Sequence, residues 1–196
     1  MRAALLTVAA LVAAFSGASR AVAAIEYHFV PGFLGQPYGD IQLVDVVPQV
    51  GPSSFTVRVS GAMTGNAPSA DPNSARAYLD KWGIGVLNPA VGTDRGIQGQ
   101  VQMDGQRGGE YIRLEFAVPV RLTYLTFASV GTIDTFQLTA DGVPVDLQSV
   151  FPGMTGIRSV SRAQVLWPGK IDFTRAAQQL GFAKTWDFSV AGGSPG

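Results

Sequence analysis

Glu110-Tyr-Ile-Arg-Leu-Glu-Phe116, Val120-Arg-Leu-Thr-Tyr-Leu-Thr-Phe127 and Phe136-Gln-Leu-Thr-Ala-Asp-Gly-Val-Pro-Val-Asp-Leu147 decide the fold. In the first run Ile112, Leu114 and Phe116 alternate with Tyr111, Arg113 and Glu115, the period of a strand with one buried and one wet face. The second resumes after Pro119 with Val120, Leu122 and Tyr124, then shifts phase to Leu125 and Phe127. That shift predicts a β-bulge near Tyr124. In the third, Phe136, Leu138 and Ala140 lead into Asp141-Gly142, and Val143, Val145 and Leu147 lead out, a hairpin signal. Three consecutive strands over Glu110–Leu147 are expected.

Outward from this stretch the chain is punctuated by 24 glycines and 12 prolines, which interrupt strands more readily than they serve helices. Strands are expected over Ile25–Val30, Ile41–Val47, Ser54–Ser60, Lys81–Leu87, Ile97–Met103, within Ile157–Trp167, over Ile171–Phe173 and over Thr185–Val190. Gly61–Ser74 reads as a long loop and Ala75–Asp80 as a turn of helix, with a second short helix over Thr174–Leu180 capped by Thr174. Many short strands with no strand–helix alternation predict an all-β fold, an antiparallel β-sandwich or jelly roll, as a single domain over residues 25–190.

Residues 1–24 read as a secretory signal peptide. Arg2 is a short basic start, Ala3–Phe15 is apolar and too short to span a bilayer, and Ala21-Val-Ala23 is the small-x-small pattern of a cleavage site. Removing Arg2 and Arg20 with the leader leaves 12 basic against 14 acidic residues. A near-neutral chain has no general attraction for nucleic acid or anionic lipid. The 196 residues include no cysteine, which excludes disulfides, thiol chemistry and Cys-type metal sites. After leader removal no stretch approaches a membrane-spanning helix, so a non-spanning protein with a flexible tail over residues 191–196 is expected.

The ordering Trp82-Gly-Ile-Gly-Val86, Gln102-Met-Asp104, Glu110–Phe116, Pro119-Val-Arg-Leu122 and Asp134–Gly142 resembles the exported bacterial β-sandwich proteins of the PEP-CTERM, exosortase-associated type. It spans the middle third of the chain, and its motifs are structural. The resemblance implies a secreted, surface-associated or exopolysaccharide-associated bacterial protein. The family's sorting tail is a Pro-Glu-Pro motif, an apolar helix and a basic end, whereas this sequence closes on Ala191-Gly-Gly-Ser-Pro-Gly196. Release to the periplasm or outside the cell, without exosortase processing, is therefore the expectation.

Candidate sites are sparse. His28, the only histidine, lies in a predicted strand and no G-x-S-x-G elbow accompanies it, so it reads as an ordinary strand residue. Zinc, which needs several His or Cys ligands, is excluded. Oxygen ligands on glycine-rich turns suit calcium, and Asp104 with Glu110 is the candidate structural site. Asp94, Asp134 and Asp141 read as turn residues or solvated edges, and no D-x-D-x-D spacing is present. Glu110 and Glu115 fall on opposite parities of one strand and so cannot flank a glycosidic bond. For glycan contact by ring stacking, Tyr111 on the polar face and Trp82 are the candidates, whereas Trp186, alternating with Phe188 and Val190, reads as core. The composite expectation is a non-enzymatic exported surface, matrix or adhesion-type protein, without cofactor unless calcium. The alternative is a carbohydrate-binding module for exopolysaccharide.

Overall fold

A computed structural model describes residues 2–3, 5–12, 24–29, 39–80, 83–90, 103–104, 109–127, 135–150, 157–159, 162–164, 170–172 and 180–190. Its strands are β1 (Arg2–Ala3), β2 (Leu5–Val12), β3 (Ala24–His28), β4 (Gly39–Asp40), β5 (Val44–Val46), β6 (Val57–Met63), β7 (Arg76–Asp80) and β8 (Gly83–Leu87). They continue with β9 (Met103–Asp104), β10 (Glu110–Phe127), β11 (Thr135–Ala140), β12 (Val143–Pro144), β13 (Ile157–Ser159), β14 (Arg162–Gln164), β15 (Lys170–Asp172) and β16 (Ala183–Val190). One helix, α1 (Leu147–Val150), is described. The fold is all-β with antiparallel pairing throughout.

Strand β10 is the axis. Its first half lies between β6 and β16, with Leu114 opposite Val59 and Trp186. Its second half lies between β2 and β15, with Leu125 opposite Val8 and Ile171. The changeover falls at Ala117–Pro119, all exposed, where pairing with β6 has ended and the β16 register breaks between Glu115 and Val120. Proline lacks an N–H for the ladder, so it is tolerated where no ladder bond is due. Two of the three expected strands are therefore one bent strand of 18 residues. The expected bulge is present: the register with β2 shifts between Leu122 and Tyr124, and burial moves from Val120 and Leu122 to Leu125.

The hairpin also forms. Ala140 faces Val143 across Asp141-Gly142, both at positive φ, 47° and 81°. Its return strand is shorter than expected: after Pro144 the chain enters α1, because the Asp146 carboxylate accepts from the N–H groups of Gln148 and Ser149 at 3.0 Å and caps a helical turn. Leu147 is buried in α1 and not in a strand.

Ala75–Asp80 is not helical. Ala75, Ala77 and Leu79 are buried and alternate with Arg76 and Tyr78, so the segment is β7, paired with β4 and β8. Of the expected strand over Ile41–Val47 only β5 forms: β4 ends at Asp40, and Gln42 and Leu43 make a turn, with Leu43 at φ 60°. That over Ser54–Ser60 lies three residues later, as β6, and keeps its alternation: Val57 and Val59 are buried and Arg58 exposed. The expected strand over Ile97–Met103 and the helix over Thr174–Leu180 fall largely outside the described residues.

Inward side chains of both halves of β10, Leu114 in the first and Leu122 in the second, enter one apolar cluster. Ile112, Leu114, Phe116, Trp186 and Phe188 meet Ile25, Tyr27, Phe29, Leu79 and Ile84 there. Where β6 crosses the start of β7 the approach is so close that a Cβ on Gly61 would stand 2.7 Å from the Ala77 nitrogen. The Gln42 amide bridges this crossing. Its Oε1 accepts from the N–H groups of Gly61 and Ala77, both at 2.8 Å, and its Nε2 donates to the carbonyls of Gly61 and Ser69.

Segment Leu5–Val12, inside the expected leader, occupies a strand position between β10 and β3. Among the described residues no helix is long and apolar enough to cross a membrane.

Candidate functional site

The alternation that sends Leu114 inward sends Glu115, Arg113 and Tyr111 to the opposite face of β10, where the ladder brings in three rows. Asp45, Arg58, Glu115 and Thr185 form the first, Ser60, Arg113, Asp187 and Thr139 the second, and Ala62, Tyr111, Ser189 and Gln137 the third. Charges of opposite sign therefore stand side by side on neighbouring strands.

They pair. Arg113 donates from both Nε and a terminal nitrogen to the two Asp187 oxygens at 2.7 and 2.9 Å, and Arg58 engages Asp45 the same way at 2.9 and 3.2 Å. The bidentate fork holds each guanidinium in its charged form, with the Arg113 pKa raised chiefly by the Asp187 hydrogen bond and the Arg58 pKa by that of Asp45. Asp45, Thr56, Arg58, Glu115, Phe116 and Ala117 line a shallow open depression at the β5 and β6 end of this face.

Tyr111 was expected to be the exposed ring of the polar face, and it is not. It is 8% exposed, its hydroxyl donates to the Asn66 carbonyl at 2.7 Å, and the Arg113 guanidinium lies 5.5 Å from its ring centroid. Residues after β6 fold back over it, held also by Thr64 N–H on the Gly109 carbonyl at 3.1 Å. Burial pushes the phenol pKa up, consistent with a covered ring. Trp82, its partner in the glycan reading, lies outside the described residues, as does Trp167. Trp186 is wholly buried and its indole N–H donates to the Val120 carbonyl.

Glu110 shares the inward parity of Ile112 and Leu114 and is fully buried, whereas Glu115 is exposed, so the two point to opposite faces as the alternation required. Asp104 stands in β9 opposite Arg2. Among the described residues no three His, Asp or Glu side chains converge as metal ligands. Asp94 and Asp134 are outside the described residues.

Asp141 does more than turn the hairpin. Its carboxylate accepts from the N–H groups of Lys184 and Thr185 at 3.0 and 2.8 Å, fastening the turn to β16.

A second polar cluster was not foreseen. His28 Nε2 is 3.2 Å from Glu26 Oε2, and Gln49 Oε1 accepts the His28 backbone N–H at 2.6 Å. Glu26 and Tyr124 both stand in register with Ala9 of β2, one on each side. Burial, with the charge of Glu26 and its hydrogen bond, pushes the Tyr124 hydroxyl up to about 12. The sequence shows these residue types but not the intervening strand that aligns them.

No family model, curated protein or solved structure matches the chain.

Proposed function

We propose that this chain is an exported, non-enzymatic β-sandwich protein, released to the periplasm or cell exterior, that acts as a surface or matrix component through a flat polar face. One observation carries this reading. On the wet face of β10 and its neighbours Arg113 pairs with Asp187 and Arg58 with Asp45, and the Tyr111 ring is covered. Side chains committed to bidentate partners hold a surface in shape and are poorly placed to activate a substrate. The same pairing keeps a broad sheet face wet and discourages it from stacking on others.

A second reading is supported by the depression at Asp45, Thr56, Arg58 and Glu115, where hydroxyl, guanidinium and carboxylate groups lie within reach of one ligand. This is the chemistry of a polar glycan subsite without a stacking platform. Export of the full chain from a bacterial host, followed by polysaccharide pull-down, separates the readings. The scaffold reading expects a processed chain outside the cytoplasm that no polysaccharide retains. Retention that Arg58→Ala abolishes would replace it with the glycan reading, and a cytoplasmic chain still bearing Met1 would defeat both.

A further inference from the structure

Strand β2 runs antiparallel to both of its main neighbours. Leu11 through Thr7 face Arg121 through Thr126 on one side and Ala24 through His28 on the other. Strands β3 and β10 consequently run parallel to each other, one strand-width apart, with β2 filling the gap. The filling segment, Leu5-Leu-Thr-Val-Ala-Ala-Leu-Val12, is uncharged, and the residue opposite both Glu26 and Tyr124 is an alanine.

We propose that this gap is a strand-acceptor groove: once the leader is removed, it takes an extended, uncharged, apolar segment of a partner protein, laid antiparallel to β10. The proposal rests on the export reading above. Cleavage beside Ala24 would strip a strand from the middle of the sheet and bare the ladder groups of Val120–Phe127 on one wall and of β3 on the other.

The gap cannot close by a simple slide of β3, which is fastened along its far side. Glu26 N–H donates to the Val50 carbonyl at 3.0 Å, Gln49 N–H to the Glu26 carbonyl at 2.9 Å, and the Tyr27 hydroxyl to the Phe55 carbonyl at 2.8 Å. Tyr27 and Phe29 are also seated in the core, at 1% and 0% exposure. Moving β3 by one strand spacing, about 4.8 Å, would break all of these contacts to gain a parallel pairing. An incoming strand breaks none of them and satisfies both walls, with main-chain hydrogen bonds supplying affinity and alternate side chains specificity.

The test uses the processed protein recovered after export, its N-terminus read by mass spectrometry. The probe is the peptide Leu5–Val12 flanked by lysines for solubility, and its control carries Ala9→Pro, which removes a ladder donor. At roughly tenfold excess over its Kd the parent peptide should raise the thermal midpoint by about 3–5 °C, bind at one per chain, and slow amide exchange at Val120–Phe127. The proline control should bind at least about tenfold more weakly. A correctly processed chain that ignores the parent peptide, or binds both equally, overturns the groove and leaves export standing. A secreted chain that retains residues 5–12 also overturns it, because the position is then filled in cis, and its intact N-terminus marks the failure as one of the processing step.

Discussion

At Gln42 a single amide uses both ends on four backbone groups of three segments, Gly61, Ser69 and Ala77. Part-buried donors left without that acceptor lose more than a surface contact would. Gln42→Ala should lower the unfolding free energy by about 2 kcal/mol, read by urea denaturation, and an unchanged midpoint would refute the bridge. At the same crossing Gly61→Ala sets a methyl group against the Ala77 nitrogen and Cα, at 2.7 and 3.1 Å. The obstacle is backbone, which cannot rotate away, so a loss of about 1–3 kcal/mol is expected; a neutral effect would mean that the strands part easily. Nothing in the sequence singles out this glutamine. A polar residue two places before a valine run reads as surface, and only the meeting of strands 19 and 35 residues further on gives it partners. Asp141 was legible as a hairpin turn residue, but its acceptor role toward Lys184 and Thr185 depends on a strand 43 residues away.

Among the elements, β10 was the most legible and β7 the least, for one reason. Ile112, Leu114 and Phe116 announce their period through size, whereas Ala75 and Ala77 carry the same period with methyl groups that propensity assigns to helix. Burial of Ala77 and Leu79 shows tertiary context overriding that local preference. The proline in β10 misled in the other direction, since it reads as a strand end and stands instead where ladder partners change. This gives the strand a testable unity. Leu114 and Leu122, one in each half, are both fully buried in the same cluster. Each →Ala variant should cost about 2–5 kcal/mol and keep a single cooperative transition, while Pro119→Ala, at an exposed position, should stay within about 0.5 kcal/mol. Two resolved transitions in either leucine variant would show that the halves of β10 belong to separate folding units.

For the molecule as a whole, the candidate site was legible only as a face. Alternation placed Arg113 and Glu115 outward, but which charges meet them is fixed by register between strands far apart in sequence, and the loop that covers Tyr111 left no periodic mark. The core is different, because Ile112, Leu114, Phe116, Val120, Leu122 and Leu125 of β10, with Trp186 and Phe188 of β16, all named from the alternation, are buried there. Its most buried phenol among the described residues, Tyr27, stacks near Phe29 and meets Phe116 edge-on, and burial raises its pKa far above the ordinary tyrosine value. Tyr124 is pushed up to about 12. For both groups the folded state favours the neutral, protonated form, whereas an unfolded phenol ionises near pH 10. Their contribution is therefore fully present below about pH 10 and is lost as pH rises from there, through about 12 for Tyr124 and further up the scale for Tyr27. Because Tyr27 belongs to the cluster shared by both halves of β10, ionising it should unfold the whole molecule and not one strand. Tyr27→Phe combined with Tyr124→Phe gives up the hydrogen bond to the Phe55 carbonyl, so the variant should be less stable at pH 8 yet decline less steeply between pH 10 and 12. Urea midpoints across that range decide the matter, and parallel curves for variant and parent would show that these two hydroxyls do not govern alkaline unfolding.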